Sequence, residues 1–181
     1  MERNTQRLIE LTNQLLDFRK IENNTFKVVF TNTNITRVLT EQFESFKTIA
    51  DAKKITMTFN LPDSPILAEV DIDGFHKILN NLFYNALIYG ENKVAVKLYL
   101  DEEKKLFYIS FSNDGYLIPS SMKEKIFEPF FRLKETQYIQ GSGIGLSLSK
   151  SLVALHNGKL FLQESSNSMN TFILNLPLQQ V

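Results

Sequence analysis

A glycine-rich run towards the C-terminal end of the chain has the residue types best suited to chemistry. Residues 141–146 read Gly-Ser-Gly-Ile-Gly-Leu, and a helical pattern runs from Leu146 to Leu155. Glycine lacks a Cβ and tolerates positive φ, so backbone at such a run can approach a ligand closely. The free N–H groups and positive dipole end of the following helix would then face an anion such as a phosphate. Taken alone, the run also fits a flexible turn before an ordinary helix.

Two familiar phosphate loops do not match this run. The chain has no Gly-x-x-x-x-Gly-Lys-Ser/Thr segment, which excludes a Walker-type loop. The spacing also differs from the Gly-x-Gly-x-x-Gly of dinucleotide folds, and residues 137–140 make a poor strand to precede one.

A second group of polar residues lies on a long apolar helix predicted from about Ile72 to Tyr89. Lys77, Asn81 and Asn85 step by four residues, so they share one helix face. Carboxamides on a helix suited to burial are costly unless they are hydrogen-bonded or bind a metal. A nucleotide-bound Mg²⁺ takes hard oxygen ligands, usually only one or two from protein. A wet helix surface is the alternative.

A third candidate is the turn Asn113-Asp114-Gly115, which ends an apolar strand and leads to Leu117-Ile-Pro119. An Asn-Asp-Gly turn is in general a hairpin signal. Here it precedes the segment Ile126-Phe-Glu-Pro-Phe130, and that order favours a ligand-binding loop.

These candidates must be positioned by strands and helices in mixed order, which predict an α+β fold, a two-layer α/β sandwich with an N-terminal helix. Alternating patterns predict strands at Phe26–Phe30, Ile55–Leu61 and Ile66–Val70, a hairpin of Val94–Leu100 and Leu106–Ser112, and strands near Lys159–Gln163 and Thr171–Leu176. Helical patterns predict a helix capped by Asn34, the helix 72–89, a short helix near Ser120–Ile126 and the helix after Gly145.

The first residues predict a separate unit. Leu8, Leu11, Leu15 and Phe18 are spaced 3, 4, 3, a heptad-like seam that favours a partner helix. The alternative is a helix lying on its own domain. The pattern breaks after Ile21, so we expect residues 1–23 to be a helical unit and residues 24–181 to be the main domain.

Composition excludes several classes of function. Lys+Arg and Asp+Glu balance at 20 each, so the chain lacks the excess of positive charge that binding to nucleic acid or an anionic membrane favours. The absence of cysteine excludes disulfides, thiolate catalysis and cysteine-ligated zinc. No stretch reaches the length of a membrane span, so we expect no direct membrane insertion and a cytoplasmic location.

In this order and spacing, the segments resemble the catalytic, ATP-binding domain of sensor histidine kinases, the branch of the GHKL superfamily with the Bergerat ATP fold. Asn81–Asn85 resembles the asparagine box, Asn113–Ile118 the first glycine box, Phe127–Phe130 the phenylalanine box and Gly141–Leu146 the second glycine box. The helix Arg3–Glu22 is similar to the end of a dimerisation helix, closest to that of Bacteroides-type hybrid two-component sensors.

The resemblance implies ATP and Mg²⁺ as ligands and a role for each matching residue. Asn85 would ligate Mg²⁺, Asn81 would support the same face, and Arg132 would stabilise charge at the γ-phosphate. Residues 132–140 would form the ATP lid. The implied nucleotide-binding residues are Asn85, Tyr89, Asn113, Gly115, Ile118, Phe130, Gly141, Gly143, Ile144, Gly145 and Leu146.

Three positions depart from the family pattern. Asn113 replaces the Asp that accepts a hydrogen bond from the adenine amine, so we expect Asn113→Asp to strengthen ATP binding. We also expect adenine nucleotides to bind better than guanine nucleotides. Ile88 stands where many members carry Lys or Arg, and Leu117 replaces a glycine.

The chain's two histidines, His76 and His156, do not occupy the acceptor position on a dimerisation helix. The resemblance therefore implies transfer of the γ-phosphoryl group to a histidine outside this chain, with a response-regulator receiver domain downstream and a parent protein anchored in the bacterial inner membrane. One alternative is a degenerate scaffold that regulates by ATP occupancy without transfer. Another is an ATPase of the gyrase type, but residues 81–84 lack the glutamate that hydrolysis would require.

Overall fold

The structure is a computed structural model that describes residues 2–139, 141–164 and 168–180, and only the backbone of residues 2–8 and 10. Its helices are α1 (Glu2–Glu22), α2 (Ile35–Ala52), α3 (Ile72–Tyr89) and α4 (Gly145–Leu155). Its strands are β1 (Phe30–Asn34), β2 (Thr56–Asn60), β3 (Leu67–Asp71), β4 (Lys93–Asp101), β5 (Leu106–Asn113), β6 (Lys159–Leu162) and β7 (Asn170–Pro177). None of the described helices is long and apolar enough to cross a membrane.

A five-stranded sheet in the order β2-β4-β5-β7-β6 forms one layer, and β1 pairs with β3 in a separate two-stranded sheet. Within the larger sheet β2 runs parallel to β4, and the other neighbours are antiparallel. Alternate residues of β5 are buried against α3. Phe83 meets Phe111 edge-on with ring centroids 5.0 Å apart, and Phe75 meets Phe107 at 6.3 Å. This packing confirms the predicted α+β sandwich.

Helix α1 lies against α4 of its own chain rather than standing apart. An ion pair of 2.5 Å joins Asp17 to Lys77 of α3, and Phe18 packs on the edge of the core. Leu15 and Leu16 remain 40% and 52% exposed, while the side chain of Leu8 lies outside the described residues. The predicted seam is therefore divided: part of it covers this domain and part is open to a partner. A unit boundary at residue 23 stays a prediction.

The strand predicted at Phe26–Phe30 is wrong in position, because pairing begins only at Phe30 and continues to Asn34. The N–H of Val29 donates to the carboxylate of Asp71 at 2.8 Å, so a side chain takes the place of a strand neighbour there. The short helix predicted near Ser120–Ile126 is instead two 3-10 turns, Ser120–Met122 and Lys125–Phe127.

The start of α3 is fixed by a buried polar cluster. Asp71 caps the helix by accepting from the N–H of Gly74 at 2.7 Å. The N–H of Asp71 donates to Nε2 of the fully buried His156 at 3.1 Å, and Nδ1 of that ring donates to the Leu152 carbonyl at 2.8 Å. Both ring nitrogens are thus occupied by backbone groups, which gives His156 a structural role that joins α3 to α4.

Candidate functional site

A cavity opens between α3, the start of α4 and the loop that joins β5 to α4. Most of the residues implicated by the sequence line it, and these are Asn81, Asn85, Tyr89, Asn113, Ile118, Arg132, Gly141, Gly143, Gly145 and Leu146. Three others, Gly115, Phe130 and Ile144, lie beside the cavity rather than on its lining. Four sequence segments that are far apart in the chain therefore meet in one place.

The polar face of α3 forms one wall. Asn81, Asn85 and Tyr89 step by four residues along it and all border the cavity. The opposite face, with Ile78 and Leu82, is buried in the core. The helix can carry this polar wall because its apolar residues are confined to the other side.

The carboxamide of Asn81 joins α3 to α4. Its Nδ2 donates to the Ser149 hydroxyl at 3.2 Å and to the Gly145 carbonyl at 3.4 Å. Ser149 is fully buried, so this bond lies in a region where an unpaired polar group is costly. Asn81 thus fixes the start of α4 relative to α3, whereas Asn85, one turn further along, borders the open cavity.

The glycine-rich loop is held in place by the phenylalanine segment. Gly143 has φ of +72°, and a Cβ there would lie 2.8 Å from the carbonyl carbon of Phe130. The N–H of Phe130 donates to the Gly143 carbonyl at 2.9 Å. Phe130 is 64% exposed, and its contact with Gly143 is made by its backbone. Position 143 therefore requires glycine both for its conformation and for this close approach.

Helix α4 begins without a side-chain cap. Ile144 stands at the N-cap position and its side chain is buried. The Ile144 N–H donates to the Ser142 hydroxyl at 3.2 Å, and that hydroxyl donates to Gln14 of α1 at 3.3 Å. The first N–H groups of α4 thus remain available beside the cavity, together with the positive end of the helix dipole. An anionic group is the ligand that this arrangement favours.

The opposite end of the cavity is built by the segment after β5. A Cβ at Gly115 would lie 1.7 Å from the Tyr89 carbonyl oxygen, so only glycine allows this turn to pack on the end of α3. Asn113 is 1% exposed, and its Oδ1 accepts from the Gly115 N–H at 3.2 Å and from Asn170 Nδ2 at 3.4 Å. Asn113, the residue predicted to contact the base, is therefore a buried carboxamide whose oxygen already accepts two hydrogen bonds.

Asp114 serves the neighbouring turn instead. Its Oδ1 accepts from the N–H groups of Glu91, Asn92 and Lys93 at 2.9–3.0 Å. Burial raises the pKa of this carboxyl, but the hydrogen bonds from Lys93, Asn92 and Glu91 outweigh it and hold the pKa below its ordinary value. Asp114 does not line the cavity, and its charge stabilises the connection from α3 to β4.

Arg132 lines the cavity, but its guanidinium is committed to the lid segment. Nη2 donates to the carbonyl of Gln137 at 2.9 Å and also to the carbonyls of Thr136 and Ile139. Nε is buried without a partner among the described residues. In this arrangement Arg132 closes a turn of the lid around itself, and it would have to release these carbonyls to reach a ligand.

Several lining residues were not named as site residues from the sequence, although Leu133 and Thr136 fall within the predicted lid and Tyr84, Tyr116 and Ser142 within the matched motifs. The residues not named are Gln14, Tyr84, Tyr116, Ile126, Phe131, Leu133, Thr136, Ser142, Asn170 and Phe172, and Ile88, noted only as a departure from the family pattern, lines the cavity as well. Tyr84 lies one residue before Asn85, and Ser142 lies inside the glycine run, so adjacency could have indicated both. Gln14 and Asn170 come from the two ends of the chain, and no local pattern indicates them.

The residues of the cavity suit a metal ion that enters the site already bound to a nucleotide. Among the described residues no group of three or more His, Asp or Glu side chains could hold a metal by itself. Asn85 lines the cavity and has one carboxamide oxygen, a hard ligand of the kind that Mg²⁺ prefers. Mg²⁺ keeps several waters and is commonly bound by one or two protein groups together with substrate phosphates, so a single protein ligand fits a nucleotide-bound Mg²⁺.

Comparison with known proteins agrees with this geometry. Residues 70–180 match the family model described as histidine kinase-, DNA gyrase B-, and HSP90-like ATPase. Histidine kinase P4 of Formosa agariphila is 32% identical over 98% of this chain, which spans 13% of that protein. Sensor histidine kinase WalK of Bacillus subtilis is 28% identical over 97% of this chain, which spans 29% of that protein. The chain thus spans less than a third of either relative.

Solved structures show the same fold. The catalytic domain of histidine kinase ThkA in a nucleotide-free form is 27% identical, with a TM-score of 0.74 over 85% of this chain and 100% of that chain. Full-length ShkA in complex with AMPPNP is 20% identical, with a TM-score of 0.81 over 97% of this chain and 36% of that chain, and it supports the fold alone. This chain therefore belongs to the histidine kinase-, DNA gyrase B-, and HSP90-like ATPase family, as an ATP-binding catalytic domain of its histidine kinase branch.

Proposed function

We propose that this domain binds ATP with Mg²⁺ and donates the γ-phosphoryl group to a histidine on a dimerisation helix outside the chain. The proposal rests on the two ends of the cavity. The uncapped N-terminus of α4 and the glycine loop lie at one end, and the buried carboxamide of Asn113 lies at the other. The first favours phosphates, and the second offers polar groups to a base.

Each wall of the cavity has a part in this proposal. The N–H groups at Gly143, Gly145 and Leu146 bind phosphate oxygens, and Tyr89 and Ile118 flank the base. Asn85 holds the Mg²⁺, which supplies neutralisation of phosphate charge when bound. Asn81 has a positioning role, because its hydrogen bonds to Gly145 and Ser149 set the start of α4.

Arg132 is the residue that we assign to transition-state charge. Three lid carbonyls hold its guanidinium in this structure. A phosphate is a stronger acceptor for a guanidinium than neutral carbonyls are, because it carries a negative charge and can accept two parallel N–H bonds from the planar group. We therefore propose that the γ-phosphate draws Arg132 away from residues 136–139 and that the lid rearranges as it does so.

The acceptor and partners lie outside the chain. His156 is held by two backbone groups, and Nδ1 of His76 lies 3.0 Å from Nε2 of Gln42 on the outer side of α3. Neither histidine lines the cavity. We propose that the acceptor histidine is on the dimerisation helices of the same parent protein and that a receiver domain takes the phosphoryl group next. Because ATP is cytoplasmic, we place this domain on the cytoplasmic side of a parent protein anchored in the inner membrane.

Titration of the protein with ATP by calorimetry, with and without Mg²⁺, tests the binding step. We expect Mg²⁺ to tighten ATP binding in the parent protein and to have much less effect in Asn85→Ala. Asn80→Ala is the matched control, because Asn80 is an exposed neighbour on the same helix that does not line the cavity. Equal Mg²⁺ dependence in all three proteins would contradict the assignment of Asn85.

A further inference from the structure

The orientation of the Asn170 side chain is set by backbone groups. Its Oδ1 accepts from the N–H of Ile118 at 2.9 Å, and its Nδ2 donates to the carbonyl of Tyr116 at 2.9 Å. A backbone N–H can only donate, and a carbonyl can only accept. If the oxygen and nitrogen of Asn170 were exchanged, its NH₂ group would face the N–H of Ile118 and its oxygen would face the carbonyl of Tyr116, and neither pair could form a hydrogen bond. Asn170 is 5% exposed, where such a mismatch is costly.

This orientation determines that of Asn113. Asn170 Nδ2 lies 3.4 Å from Asn113 Oδ1, and the N–H of Gly115 donates to the same oxygen at 3.2 Å. Both neighbours are donors, so the atom that faces them must be an acceptor. Neither bond uses the NH₂ group of Asn113, and Asn113 lines the cavity.

We infer that Asn113 presents its NH₂ group, a hydrogen-bond donor, to the base of the nucleotide, and that the site therefore accepts 6-oxopurine nucleotides at least as well as adenine nucleotides. The inference rests on the proposed nucleotide site. The 6-amino group of adenine is a donor and would oppose this NH₂ group, whereas the 6-oxo group of a hypoxanthine or guanine base is an acceptor. Asn113 is the specificity-determining residue, and Asn170 is the positioning residue that orients it.

ATP remains a ligand in this account. The ring nitrogens of adenine are acceptors, and the phosphates bind at the other end of the cavity. Because of the Asn113–Asn170 pair, the site does not discriminate against a purine base with an oxygen at the 6-position. This departs from the preference for adenine over guanine that the sequence alone indicated, because the sequence gives no information on which way the carboxamide points.

The test compares ATP with inosine triphosphate, whose base carries a 6-oxo group and no 2-amino group. Calorimetric titration gives both dissociation constants for the parent protein and for Asn113→Asp. A carboxylate cannot donate, so it pairs with the adenine amine and repels the 6-oxo group. We expect the parent to bind inosine triphosphate at least as tightly as ATP, and Asn113→Asp to favour ATP by about tenfold.

Asn175→Asp is the matched control. Asn175 lies on β7 like Asn170, accepts from the N–H of Lys159 at 3.0 Å, and does not line the cavity. The same substitution there keeps the acceptor and adds the same charge. We expect its ratio of the two dissociation constants to equal that of the parent.

Asn170→Asp tests the positioning role. A carboxylate at this position accepts from Ile118 but can no longer donate to Asn113. The Asn113 NH₂ group then turns towards the carboxylate and its oxygen towards the cavity, because a charge-assisted hydrogen bond is roughly twice as strong as the neutral one from the Gly115 N–H that it replaces. We expect the nucleotide preference to shift towards ATP, as in Asn113→Asp, a result that a purely structural role of Asn170 would not produce.

The outcomes separate this inference from the proposed function. A parent that binds ATP more tightly than inosine triphosphate would overturn the inference and leave nucleotide binding intact. No binding of either triphosphate to the parent would overturn both. An equal shift in Asn175→Asp would assign the effect to charge alone and would also overturn the inference.

Discussion

Asn81 Nδ2 of α3 lies 3.2 Å from the buried Ser149 hydroxyl of α4, and this hydrogen bond ties together the two helices that bound the cavity. The N-terminus of α4 holds its place relative to the carboxamide face of α3 through this contact. We therefore expect the proposed phosphate binding at α4 and the proposed metal binding at Asn85 to be coupled through the geometry of Asn81.

A double-mutant cycle measures that coupling. We expect Asn81→Ala to lower the free energy of unfolding by about 1–2 kcal/mol, because it leaves the buried Ser149 hydroxyl without this partner. Ser149→Ala should cost less, and the double variant should be less destabilised than the sum, with a coupling energy of about 1 kcal/mol. Asn80→Ala is the control. Strict additivity in urea unfolding would show that the Asn81–Ser149 contact contributes no energy.

The loop at Gly143 gives a second prediction. Gly143→Ala places a Cβ 2.8 Å from the Phe130 carbonyl carbon at φ of +72°, and we expect it to cost about 1–3 kcal/mol of stability and to weaken ATP binding at least tenfold. Gly141→Ala is the comparison, because a Cβ there meets only the Tyr89 hydroxyl at 3.8 Å. We expect a smaller effect on both measurements. Equal losses in the two variants would contradict the account of Gly143.

The two glycines show how far sequence reasoning reaches. The helical period and the absence of a Cβ are local properties, and they located α3, α4 and the glycine-rich loop before α4. The sequence could not show that Gly143 is fixed by Phe130 or that Asn170 orients Asn113, because these contacts join segments separated in the chain. It also misplaced β1, since the alternation of Phe26 and Val28 exists without the pairing with β3 that begins at Phe30.

Asp114 predicts a dependence of stability on pH. Its folded-state pKa lies below its ordinary value, because the N–H groups of Lys93, Asn92 and Glu91 outweigh the effect of burial. The stabilisation is therefore fully present above the unfolded-state pKa, near 4, and is lost as the pH falls through the folded-state pKa. We expect Asp114→Asn to be less stable than the parent at pH 7, with a difference that shrinks below about pH 4. A constant difference from pH 7 to pH 3 in urea unfolding would contradict this.

Helix α1 predicts the assembly of the isolated domain. Its Asp17 and Phe18 are used by its own chain, whereas Leu15 and Leu16 are exposed. An isolated helix seam of this length is marginal in water. We expect a monomer or a weak dimer by light scattering at micromolar concentration. A tight dimer that persists in Leu11→Ala with Leu15→Ala would show that another surface drives association.

The central claim is phosphoryl transfer to a histidine outside this chain. The direct measurement is incubation with γ-labelled ATP and Mg²⁺ of this domain alone and of a longer protein that includes the proposed dimerisation helices. We predict no stable label on the domain alone, acid-labile label on the longer protein, and loss of that label in Arg132→Ala. Stable phosphohistidine at His76 or His156 would contradict the account, and so would ATP binding without any label in the longer protein, which is the behaviour of a scaffold that only senses ATP.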